Sequence, residues 1–135
     1  MTSQDKIKSF LAGKRFAVVG ASQDRAKYGN KVLRVYQQNA LDVVPVNPSA
    51  TEVEGLTAYK DLASVPGDID GVSIITPPPI TERVIQDALR RGITNFWIQP
   101  GAEHAGAIQA AETAGANVIH GGPCILVSLR FRDAD

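Results

Sequence analysis

Short apolar runs alternating with helix-period segments predict an α/β protein. The expected architecture is Rossmann-like: three α/β/α layers around a mainly parallel sheet of five or six strands. Three observations carry this. Phe16-Ala17-Val18-Val19 runs into Gly20-Ala21-Ser22, the strand, tight turn and helix start of a nucleotide-binding fold. The later strand-like runs are spaced by helical patterns, which implies right-handed βαβ crossovers. The chain has 135 residues, 44% of them hydrophobic, enough for one domain (residues 1–135) with its own core.

The elements follow in order. Residues Ser3 to Leu11 place Ile7, Phe10 and Leu11 on one helical face that stops near Gly13. Phe16 to Val19 is the first strand. A helix from about Gly29 to Asn39 carries Val32, Leu33 and Tyr36 at core spacing. Asp42 to Val46 is the second strand, and Pro45, which has no N–H, predicts a bulge or an unpaired stretch there. A short third strand is expected near Leu56-Thr57-Ala58, then a turn or two of helix at Asp61 to Val65. Gly71 to Thr76 reads as a buried strand ending at Pro77-Pro78-Pro79. Ile80 to Arg91 is a helix with Ile80, Val84, Ala88 and Leu89 as its stripe, and Gly92 follows as a stop. Thr94 to Ile98 is a strand, and Glu103 to Ala114 a helix ended by Gly115. Asn117-Val118-Ile119 and Ile125-Leu126-Val127 are expected to close the pattern, with Arg130 to Asp135 a charged tail.

Composition narrows the function. No apolar run is long enough to cross a bilayer, and Met1 to Lys6 is polar, unlike a signal peptide. One cysteine, Cys124, excludes an internal disulfide and suits a reducing cytoplasm. Zero formal net charge removes the electrostatic case for nucleic acid. The charge is uneven, however. Lys14, Arg15, Arg25, Lys27, Lys31 and Arg34 face a lone acid, Asp24, across this stretch. Such a cluster near a Gly-Ala-Ser turn points to a polyanionic ligand.

Ligands of open parallel sheets sit beyond the carboxyl ends of the strands. The loops there carry binding chemistry rather than an acid/base pair. Gly20, Ala21 and Ser22 can offer backbone N–H groups, a hydroxyl and a helix start to a phosphate. A dinucleotide fingerprint would place glycines where Ser22 and Arg25 stand. It would also end the second strand in an acid, and here Val46-Asn47-Pro48 stands instead. Asn47 can read a ribose or base edge, or it can cap the turn before Pro48. Pro77, Pro78 and Pro79 suit a rigid, extended wall against a flat adenine or a pantetheine arm, and they also suit the entry of the Ile80 helix; both can hold at once.

With these loops in view, the chain resembles the coenzyme A-binding domain family. This is the Rossmann-like domain of the succinyl-CoA synthetase α subunit and of free-standing small bacterial proteins. The resemblance rests on Val18-Val19-Gly20-Ala21-Ser22, Val44-Pro45-Val46-Asn47-Pro48, Ile75-Thr76-Pro77-Pro78, Trp97-Ile98-Gln99-Pro100-Gly101 and Gly122-Pro123-Cys124. It implies that Ala21, Ser22, Gln23 and Asp24 line the phosphate turn of a CoA site. It also implies that Pro48, Ser49, Thr76, Pro77 and Pro78 flank the nucleotide. Arg25, Lys27 and Lys31 join them from the charge cluster, as candidates for the diphosphate or 3′-phosphate. The chain departs from the synthetase in lacking an extra glycine in the phosphate turn. It resembles it in carrying Gly121-Gly122-Pro123-Cys124 where many free-standing relatives have Asp-Arg-Cys.

No catalytic constellation stands out. His120 and Cys124 are four residues apart and offer a thiolate–imidazole pair, a buried thiol, or a mixed disulfide with a CoA thiol. The expected function is therefore a small, non-catalytic CoA or acyl-CoA binding protein, regulatory or carrier. Two alternatives stay open: an NAD(H)-sensing module, and a subunit of an acyl-CoA ligase whose catalytic residues lie on a partner. A homodimer is equally compatible with the sequence.

Overall fold

The computed structural model describes residues 2–133. The element order is α1 (Ser3–Leu11), β1 (Arg15–Val19), α2 (Tyr28–Gln38), β2 (Asp42–Val46), β3 (Glu52–Val53) and β4 (Leu56–Thr57). A 3₁₀ turn, Leu62–Ser64, precedes β5 (Gly71–Ile74), α3 (Pro78–Arg90), β6 (Asn95–Ile98), α4 (Ala105–Thr113), β7 (Asn117–Ile119) and α5 (Ile125–Ser128). Five strands form one parallel sheet in the order β2-β1-β5-β6-β7, and β3 pairs β4 as a separate antiparallel hairpin. The fold class is the one expected, with five strands in the main sheet.

Strand alternation divides the core between two faces. Phe16 and Val18 point toward α1, α2 and α5 with Trp97 and Ile119, while Ala17 and Val19 point toward α3 and α4 with Phe96 and Ile98. Phe10 of α1 stacks on Phe16 and meets Trp97 edge-on, with ring centroids 5.3 and 5.5 Å apart. These contacts pack α1 against the face of β1 and β6.

Several expectations change. Pro45 makes no bulge: Val18 stays in register with Pro45 and Val19 with Val46. β2 is the sheet edge, and the Pro45 carbonyl points outward to the Tyr59 N–H at 3.1 Å. Its missing N–H therefore faces away from β1, where no ladder bond is lost. The short strand expected near Leu56-Thr57-Ala58 is present as β4, but it pairs antiparallel with Glu52–Val53 outside the main sheet. This segment meets the main sheet only through a one-residue parallel bridge, Val46 to Tyr59. Ile125-Leu126-Val127 is helical, with Ile125 buried and Val127 exposed.

The first turn of α3 takes in Pro78 and Pro79, with Pro77 as N-cap, so the prolines set a helix start and build no extended wall. The buried stripe of α3 is Thr81, Val84, Ile85 and Ala88, whereas Ile80 is 50% exposed. The expected charged tail is ordered through Asp133: Gln38 exchanges two bonds with the Arg132 backbone, and Asn39 donates to the Leu129 carbonyl. Residues 134 and 135 of that tail, like Met1, lie outside the described residues.

Candidate functional site

Strand order reverses between β1 and β5, so the loops after these strands diverge and leave a crevice at the carboxyl rim. Two cavities occupy it. One, of about 510 Å³, is lined by Gly20, Ala21, Ser22, Ala26, Lys27, Tyr28, Gly29, Asn47, Pro48 and Ile75. The other, of about 450 Å³, lies between β2, the 3₁₀ turn and α3, with Val46, Leu62, Ile80 and Val84 among its walls. Gly20 and Pro48 border both, so the two cavities adjoin at that pair as a divided groove.

Close backbone approach creates the first cavity. Gly20 has φ +96°, and a Cβ there would run into the Ile75 carbonyl. A Cβ at Gly29 would strike the Gly20 carbonyl oxygen. Gly29 thus supplies the close helix–strand packing of a dinucleotide fingerprint, nine residues after Gly20 rather than five. The five-residue spacing of the fingerprint does not reveal it, because residues 22–27 form a longer loop between β1 and α2.

Side chains of the turn are largely occupied in shaping it. Ser22 Oγ accepts from the Asp24 N–H at 3.1 Å, and Asp24 Oδ1 accepts from the Ala26 N–H at 3.0 Å. Gln23 Nε2 donates to the Glu52 carbonyl at 2.8 Å. Asn47 caps its own turn, its Oδ1 accepting from Ser49 and Ala50 N–H at 2.7 and 2.8 Å. Its Nδ2 donates to the Ala21 carbonyl at 2.8 Å, tying the second loop to the first. The capping reading of Asn47 is the one the geometry uses.

The two helix starts at the crevice differ chemically. α2 begins at Tyr28 with no side-chain cap and no acid in its first turn. Among the described residues, the Tyr28 and Gly29 N–H groups have no acceptor, and both residues line the first cavity. Backbone dipole and free donors make such a helix start chemically suited to an anion. α3 begins with Pro78 and Pro79, which have no N–H, and the Ile80 and Thr81 N–H groups bond the Pro77 carbonyl. Thr76 and Thr81 share a hydroxyl bond of 2.7 Å. The first turn of α3 therefore offers no free backbone donor, and its cavity sets the apolar Val46, Leu62, Ile80 and Val84 beside the charged Lys60, Asp61, Arg83 and Asp87.

The basic cluster does not act as one patch. Lys14 and Arg15 lie at the amino end of β1, away from the rim, and the Arg15 guanidinium bonds the Pro66 and Asp68 carbonyls. Arg34 is 3% exposed and internally bonded. Arg25 pairs with Glu54 at 2.8 Å, and Lys31 lies 3.8 Å from Asp133. Of the six, Lys27 alone both lines a cavity and makes no salt bridge among the described residues. Chain spacing shows that charges are close in sequence; it does not show which end of a strand they reach.

Of the candidate residues, Gly20, Ala21, Ser22, Lys27, Asn47 and Pro48 line the first cavity, and Thr76 joins Gly20 and Pro48 at the second. Gln23, Asp24, Arg25, Lys31, Ser49, Pro77 and Pro78 line neither. Tyr28, Gly29, Lys60 and Arg83 line the groove without having been singled out. Lys60 and Arg83 make no salt bridge within 4 Å among the described residues, and only the fold brings them to the second cavity. Asp61, held low first by its Ser64 bonds and in part by Lys60, lines the same cavity, as does Asp87. His120 faces Glu112 at 3.7 Å, while Cys124 Sγ accepts from Gln99 Nε2 at 3.4 Å, so each has a partner other than the other.

The model of the CoA binding domain matches residues 14–130, nearly the whole chain. The chain belongs to the CoA-binding domain family. A Bacillus subtilis (strain 168) protein, YneT, is 30% identical over 118 residues, which span 87% of each chain. The alpha subunit of an ADP-forming acetate–CoA ligase II from Pyrococcus furiosus is 33% identical over 92 residues. That match takes in 66% of this chain but 20% of the ligase subunit. Among solved structures, a conserved hypothetical protein from Pyrococcus furiosus superposes with a TM-score of 0.80 at 36% identity, covering 86% of this chain and 99% of that one. The CoA-binding domain is thus related both to small proteins of its own length and to part of a ligase subunit. CoA is the ligand class of the family, and the NAD alternative finds no support in it. No helix among the described residues is long and apolar enough to cross a membrane.

Proposed function

We propose that this CoA-binding domain binds CoA or an acyl-CoA in the divided groove, as a carrier or regulator, without performing chemistry on it. The observation that carries the reading is the contrast between the two helix starts. Free N–H groups of Tyr28 and Gly29, with Lys27 beside them, suit a diphosphate. The Val46, Leu62, Ile80 and Val84 walls of the cavity beside the proline-started helix suit the adenine. Lys60 and Arg83 at its edge would meet the 3′-phosphate, which distinguishes CoA from other adenine nucleotides. The pantetheine arm would then leave the diphosphate along the rim toward the loops after β6 and β7.

Calorimetric titration with CoA, acetyl-CoA, NADH and ATP on one preparation tests this. Saturable binding of CoA and acetyl-CoA, with NADH weaker by at least about tenfold, is expected. Tight NADH binding without CoA binding would overturn it. A second reading has its own support in the 33% identity to a ligase alpha subunit: the domain serves as a subunit whose catalytic residues lie on a partner chain. Stoichiometric recovery of one partner in a pull-down, with CoA-dependent ligase activity in the recovered complex, favours that reading.

A further inference from the structure

A connected set of polar side chains lies beneath the Ser22–Lys27 loop, and no reading of the ligand site above uses it. Asn30 is fully buried, and its Nδ2 donates to the Ser22 carbonyl and to Glu54 Oε2, both at 2.9 Å. Arg34 Nε donates to Asn30 Oδ1 at 2.6 Å, and its Nη2 donates to the Arg25 carbonyl at 3.2 Å and to Asp133 at 3.3 Å. Glu54 accepts from Arg25 Nε and Nη2 at 3.2 and 2.8 Å. Gln37 Nε2 also donates to the Glu54 carbonyl at 3.1 Å.

Glu54 is the hub, and it occupies an uncommon backbone position. Val53 pairs with Leu56, so Glu54-Gly55 is a two-residue hairpin loop with φ +50° and +79°. Asn, Asp and Gly are the residues such a turn favours. A glutamate held there by four donors from the first loop and α2 points to a role beyond closing a hairpin. Its carboxylate is 18% exposed, and the Arg25 and Asn30 bonds hold it well below the ordinary carboxylate range.

We infer that Glu54 is a positioning residue for the ligand site, fixing the Ser22–Lys27 loop through Arg25 and Asn30 from the tip of the β3–β4 hairpin. A consequence is that Arg25 is a tether, withheld from the ligand, and that Lys27 is the cation at the turn. The inference rests on the CoA reading for its effect on affinity, while its effect on the loop holds without any ligand.

Amide hydrogen exchange on the ligand-free protein and CoA calorimetry on the same samples test both halves. In E54A and E54Q, exchange across Ser22–Lys27 is expected to accelerate while β5, α3 and β6 exchange as in the parent. CoA affinity is expected to fall about tenfold in E54A and in R25M, with the double variant no weaker than either single one. R25M is expected to keep the parent's dependence of affinity on ionic strength, and K27M to flatten it. Unchanged exchange across Ser22–Lys27 in both Glu54 variants overturns the inference. So does E54A binding CoA as tightly as the parent or more tightly, because Glu54 would then only neutralise a ligand-binding Arg25. A parent protein that fails to bind CoA overturns the functional reading instead, and the exchange result still decides the role of Glu54.

Discussion

At the residue scale, the site depends on a few atoms that must be absent and a few charges that must be free. Gly29 is the strictest of the first kind, because its α-hydrogen faces the Gly20 carbonyl where a methyl group cannot fit. G29A is expected to cost roughly 1–3 kcal/mol by urea unfolding, through displacement of α2 from β1. It should also abolish CoA binding, since the Tyr28 and Gly29 donors move with the helix. Lys60 and Arg83 belong to the second kind. Replacing both by methionine is expected to weaken CoA about tenfold or more and leave 3′-dephospho-CoA nearly unchanged, measured by paired titrations. Gly20 and Ser22 were legible because a strand running into Gly-Ala-Ser is local chemistry. Lys60 and Arg83 were not, since their meeting at one cavity depends on how β2 and α3 pack.

At the element scale, regular periods were readable and short or tethered pieces were not. α1 spans Ser3–Leu11 as expected, because its apolar residues recur at helical spacing and Thr2 and Asp5 form a capping box. α5 is a single turn, too short for any period to separate it from a strand. The segment after it reads as a charged tail, yet Phe131 lies 5.0 Å from the Arg34 guanidinium and Asp133 pairs with that group. Removing residues 130–135 is expected to cost roughly 1–3 kcal/mol in chemical denaturation, because Arg34 stays buried with an acceptor lost. The β3–β4 hairpin makes an acid prediction. Folding lowers the Glu54 pKa from 4.5 to about 2. Its contribution is therefore complete above the unfolded value and is lost as pH falls through the folded one. Asp5, Asp61 and Asp70 are also lowered and add losses at acid pH. E54Q is expected to be less stable than the parent at pH 7 and to lose less between about pH 4.5 and 2, measured by denaturation at stepped pH.

At the scale of the whole molecule, one parallel sheet carries a donor-rich helix start and a donor-free one side by side at the switch in strand order. In the proposed binding mode that juxtaposition would sort the ligand end to end, with phosphates toward α2 and the adenine toward α3. The sequence marked the rim, since each strand runs into small, polar or proline-bearing residues there. It misled on charge, because Lys14 and Arg15 begin β1 while Gly20 follows its end, a full strand length away. The proposed groove is compatible with a free-standing carrier and with a ligase subunit, so affinity alone does not separate those roles. The central claim is the placement of CoA in the divided groove, and backbone amide NMR during a CoA titration tests it most directly. Saturable shifts at Ala21, Ser22, Tyr28 and Gly29, together with Val46 and Ile80, are the predicted result. Shifts confined to the amino end of the sheet around Lys14 and Arg15, or none at saturating CoA, would contradict it.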